Sequence, residues 1–110
     1  MEHATLVPVN FRISQKARTM LGELTETASE SSSRAMVPAL LWDEEYDEIK
    51  KEKVVRGVAC GWFYRDEVPT RLLQEVDGMT LIFAVSAQQA SHFHGKEIDY
   101  NDGRRFFLID

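Results

Sequence analysis

The chain has 110 residues, a formal net charge of −5 and a single cysteine, with a sequence pI near 5.2. That charge argues against a general nucleic-acid binder, which needs a cationic surface to displace counterions from phosphates, and against docking on anionic membranes. One thiol excludes an internal disulfide and a thiolate metal cage, and a composition 44% apolar and 28% charged is that of a globular protein with one compact core.

In chain order, "MEHATLVPVN" shows no basic region leading into an apolar stretch, so no signal peptide is expected. No apolar run approaches the roughly 20 residues that span a bilayer, which makes a cytoplasmic location the default. His3 falls in this opening segment, expected to be loose. "LVPVNFRI" (Leu6 to Ile13) reads as a short strand, because Val7, Val9, Phe11 and Ile13 alternate at period 2 and Pro8 marks an edge. Ser14 is placed to cap a helix, its hydroxyl accepting from the free amides of the first turn. The helix is expected from Gln15 to Ser29, with Ala17, Met20, Leu21, Leu24 and Ala28 on one apolar face. Gly22 either weakens its middle by about 1 kcal/mol relative to Ala or marks a close approach to a sheet. "SESSSR" (Ser29 to Arg34) reads as a flexible loop.

"AMVPALLW" (Ala35 to Trp42) and "VVRGVACGWFY" (Val54 to Tyr64) read as two strands of a hairpin. Gly57 and Gly61 are the expected bulge or bend positions. Between the strands, "DEEYDEIKKEK" is expected to form a charged, mobile tip. Pro69 opens a predicted helical turn through Leu72, Leu73 and Val76, and Asp77-Gly78 is a turn signal. "MTLIFAV" (Met79 to Val85) is apolar at nearly every position, as in a strand covered on both faces. Ser86 can cap a short helix, "AQQASHFH", which Gly95 would stop. "KEIDYN" and "RRFFLI" flank Asp102-Gly103, a hairpin signal in which both turn residues need positive φ. The order predicts a single α+β domain, mostly β, with an N-terminal helix and a short helix packed on the sheet.

That order resembles the A-type iron–sulfur carriers, the HesB-like domains. The likeness is carried by "ISQKARTML", by the unit "VDGMTLIFAV", by "GKEIDY" at residues 95 to 100 and by the apolar "FFLI" after it. It is best from Asp77 to Ile109, roughly a third of the chain. It implies a HesB-like fold and a cluster or iron held by three cysteines, one in the central region and two in a C-terminal Cys-Gly-Cys. Cys60 falls near the first, and the other two have no counterpart in this sequence. Thiolates are the usual cluster ligands, so the resemblance implies the fold while arguing against the activity, and no cofactor is expected.

The remaining residues that bear on chemistry have structural readings beside them. His92 and His94 would share a metal only on a strand, since on a helix they diverge by about 200°. Histidines at a helix C-terminus, near the negative end of its dipole, are the favoured account. Cys60 sits among Val58, Ala59, Trp62 and Phe63, where an isolated cysteine is usually a small buried hydrophobe. Asp43, Glu44, Glu45, Asp47 and Glu48 lack the spacing that wraps calcium. With Tyr46 among them, they could instead meet a basic protein surface, while Trp42, Trp62 and Tyr64 nearby serve the core or the same interface. The sequence therefore favours a non-catalytic acidic protein that binds another protein, a toxin-neutralising immunity protein being its sharpest version. The alternatives are a metal or iron–sulfur carrier using Cys60 across a dimer, and a small-molecule-binding domain, which would show a large apolar pocket.

Overall fold

The computed structural model describes residues 4–103 and 105–110; His3 and Arg104 lie outside the described residues. Ser14 caps its helix, the hydroxyl accepting a hydrogen bond from the Ala17 backbone N–H at 3.1 Å. Helix α1 spans Gln15–Ser32, so the serine run expected as a loop is instead its last turn. The chain leaves the helix at Ser33, in the left-handed conformation at φ 57°. Ala17 and Leu21 are buried, and Met20 and Leu24 pack at the margin of the same core. A methyl group at Gly22 would meet nothing within 4 Å, so this glycine marks no close approach.

Among the described residues, strands β1 (Arg12–Ile13), β6 (Glu97–Asn101) and β7 (Arg105–Ile109) form one sheet in the order β1-β6-β7. Strands β2 (Met36–Asp47), β3 (Glu52–Tyr64), β4 (Leu73–Val76) and β5 (Met79–Phe83) form the other, in the order β3-β2-β5-β4. β1 runs parallel to β6 and β2 parallel to β5, while the remaining neighbours are antiparallel. The fold is α+β, mostly β. No helix among the described residues is long and apolar enough to cross a membrane.

β5 shows why its sequence is apolar at nearly every position. Leu81 and Phe83 belong to the main core, with Leu21 of α1, Leu40 of β2, Phe93, and Ile98 of β6. Ile82 points the other way, into a second cluster with Val37, Ala39, Val68 and Leu72. The four-stranded sheet is thus covered on one face by α1 and the other sheet, and on its second face by the segment that carries Val68 and Leu72.

Four further expectations are corrected. In the first, Leu6 to Ile13 pairs as a strand only at Arg12 and Ile13. Its preceding residues form a strap whose middle is held by Gln74, which donates from Nε2 to the Val7 carbonyl at 2.8 Å and accepts the Val9 N–H at 3.0 Å. The proline lacks the N–H a ladder needs, and the glutamine amide supplies the donor and acceptor of a peptide instead. In the second, the expected helical turn stops at Leu72 as a 3-10 turn, Thr70–Leu72, and Leu73–Val76 is strand. Pairing with β5 overrides the helical spacing of the leucines. In the third, the turn with positive φ at both residues is Asp77-Gly78, at 50° and 84°, closed directly by the Val76–Met79 pair. Asp102 and Gly103 have no positive φ; their hairpin is closed by the pair Asn101–Arg105, one residue wider. In the fourth, helix α2 (Ala87–Ala90) is capped by Ser86 as expected, but ends before the histidines. His92 and His94 lie in the turns that follow, with Gly95 at φ 70°.

Candidate interaction surface

The predicted mobile tip is a two-stranded arm. β2 continues through Asp43, Glu44, Glu45, Tyr46 and Asp47, pairing with β3 as far as Asp47–Glu52. β5 accompanies β2 only at Ala39 and Leu40, so beyond Trp42 the ribbon leaves the sheet. Five residues of strand extend roughly 17 Å. The radius of gyration, 14.4 Å, exceeds the roughly 13 Å of a compact chain of this length, in keeping with a projecting element.

The arm's local geometry follows from its sequence. At its base the register shifts between Asp43 and Glu44, leaving Arg56 as the extra residue on β3. Gly57, at φ 96°, provides the backbone conformation that such a bulge needs. Gly61, also expected as a bulge, pairs regularly with Ala39. At the end, the Asp47 carboxylate accepts the backbone N–H groups of Ile49 and Lys50 at 2.9 and 3.1 Å. Glu48 lies in that turn, and Lys51 takes φ 54° to close it.

Trp42 and Glu44 lock the base to the body. The Trp42 indole stacks on the His92 imidazole, with centroids 4.3 Å apart and planes 8° from parallel, and meets Phe93 edge-on. The Trp42 Nε1–H donates to Glu44 at 2.9 Å, and the Gln89 amide reaches the other carboxylate oxygen at 3.4 Å. Lys53 Nζ stands 3.7 Å from Glu44, whose side chain is 18% exposed. The Gln89 hydrogen bond, then that from Trp42 and the charges of Lys53 and His92, hold the Glu44 carboxyl below its ordinary pKa against the opposing effect of desolvation. His92, read from sequence as a helix end, is thus a packing partner of the arm.

The acidic residues differ in their surroundings. Arg56 donates to Glu45 at 2.6 Å and lies 3.9 Å from Asp43, and Glu44 is held as described. The carboxylates of Asp47 and Glu48 stand at the end, beside Lys50 and Lys51. What the arm exposes more distinctively is apolar. Of the four large hydrophobic residues exposed among the described residues, Tyr46 at 61%, Ile49 at 95% and Val55 at 52% lie here. Tyr46 and Ile49 were legible as apolar letters within a charged run, but only the strand pairing shows that they leave the core.

Other predicted residues are placed elsewhere. Cys60 is half-buried against the main core, and burial pushes its thiol up from the ordinary value. Trp62 packs against the same core and donates from Nε1 to the Thr25 hydroxyl at 2.9 Å. Tyr64 lies beneath the Arg34 guanidinium, 3.7 Å from its ring centroid. Among the described residues no three of His, Cys, Asp and Glu gather to hold a metal ion. No protein-family model, curated protein or solved structure matches the chain.

Proposed function

We propose that the protein is a non-catalytic binding protein and that the β2–β3 arm engages a protein partner. The observation that carries this reading is the concentration of exposed apolar side chains on the arm: Tyr46, Ile49 and Val55. A solvent-exposed isoleucine gains nothing from folding; buried at an interface, it and an adjacent tyrosine make anchors, and tyrosine is enriched among residues that dominate binding energy. Glu48 follows in the end turn and suits a partner with a basic residue beside an apolar recess. Rim charge of that kind favours encounter and selectivity more than affinity.

Affinity capture with the purified chain tests the proposal. A partner retained stoichiometrically by the native chain is expected to be lost from the double variant Tyr46→Ala/Ile49→Ser, since truncating an anchor costs about 2 kcal/mol, a roughly 30-fold loss. The variant Glu48→Lys is expected to slow association, with the native rate falling as salt is raised. Equal recovery of the same proteins by the native chain and the double variant removes the arm from any binding role.

A further inference from the structure

At the end of the β2–β3 ribbon away from the arm, where Phe63 pairs with Val37, residues 4–7 of the strap form one wall of a half-open cavity of about 650 Å³. Its walls include Leu6 and Val7 from the strap, Phe63 of β3, Leu72 of the 3-10 turn, and Ala84 and Val85 after β5. We propose that this cavity is a binding site for an uncharged, mainly hydrocarbon small molecule.

Three observations point to that ligand. The volume falls within the roughly 300–1,000 Å³ of small-molecule sites. None of the described lining residues carries a charge; the polar side chains among them are the hydroxyls of Thr5 and Ser86. A buried ionic group would therefore lack a counter-charge and meet a desolvation cost, whereas hydrocarbon would not. The Ser86 Oγ accepts the Gln89 N–H at 3.0 Å, so the hydroxyl keeps its own hydrogen for one acceptor, such as the oxygen of an alcohol or ketone. The described lining comprises twelve residues, against about 20–30 a side in a stable protein interface, so the site fits a small molecule better than a second protein.

The strap is held by side chains. Outside β1 the strap makes no backbone ladder; it is tied by the Gln74 amide and by Arg71, whose Nη1 donates to the Ala4 carbonyl at 2.7 Å. Leu6, 43% exposed, faces both water and the cavity, an arrangement in which a hydrocarbon ligand would cover it.

Titration with N-phenyl-1-naphthylamine, an uncharged dye that fluoresces in apolar surroundings, tests the site. Saturable binding is expected, with displacement by 1-dodecanol and not by dodecyltrimethylammonium. Leu6→Glu, at an exposed position that spares the fold, places a charge on the wall, and Ala87→Trp fills the mouth. Each should weaken dye binding by about ten-fold or more, with circular dichroism unchanged. The proposal fails if binding does not saturate, if both variants bind as the native chain does, or if the cationic amphiphile competes as well as the alcohol. It fails equally if sedimentation shows a dimer that Leu6→Glu dissociates, which would assign the cavity to a second copy.

Discussion

Glu44 shows how one carboxylate fixes the position of an arm. It receives Trp42, Gln89 and Lys53, joining β2, α2 and β3 at one point. Because its folded pKa is lowered, its contribution to stability is present above the unfolded value, near 4.5, and is lost as pH falls through the folded value. Glu44→Gln is expected to flatten the acid limb of the curve of melting temperature against pH, below about pH 4.5, while changing its shape little near neutrality. Thermal unfolding monitored by circular dichroism measures it. Asp99, lowered chiefly by the Ser14 hydroxyl and then by the Tyr100 N–H, acts in the same sense. Ser14 was legible as a cap because capping is local, a hydroxyl and an amide three residues apart. Its bond to Asp99 at 2.7 Å was not, and neither was the Trp42–His92 stack, because each joins residues that only the fold brings together.

At the scale of elements, the arm depends on its bulge. Gly57 sits at φ 96°, and a Cβ there would lie 3.9 Å from the Arg105 side chain, an ordinary contact. The obstacle to a side chain is therefore torsional. Gly57→Ala is expected to cost about 1–3 kcal/mol, read as a lower midpoint in urea unfolding, and a proline there would be worse. The two Asp-Gly pairs show the limit of local signals. Both mark hairpins, as the sequence predicts, but turn type depends on which residues pair across the loop. Val76 meets Met79, leaving two residues; Asn101 meets Arg105, leaving three. Composition specifies the turn, and register, which is set by side chains distant in sequence, specifies its class. The helical spacing of Leu72, Leu73 and Val76 failed for the same reason: a four-residue strand beside β5 buries Val76 better than an isolated turn would.

For the whole molecule, the α+β class and most apolar segments could be read from periodicity, but the division into two sheets could not. Nothing in "FRI" announces that it will lie parallel to "EID". The core that joins the sheets centres on Phe93, fully buried against Phe11, Phe83 and Trp42. Phe93→Ala is expected to destabilise the protein by about 3–5 kcal/mol, measured as a shift of the urea midpoint at unchanged slope. It should also loosen the arm, because Trp42 rests on the same ring.

The tethering of the N-terminal segment has a consequence for synthesis. Val9 is held by Gln74, Ile13 by Asp77, and β1 by β6. Residues 9–13 therefore find their partners only after residues 74–98 have been made. Helix α1 can pack first on β2, and gains its cover from β6 only once residues 97–101 have been made. Pairings of such long reach close slowly and leave sticky intermediates.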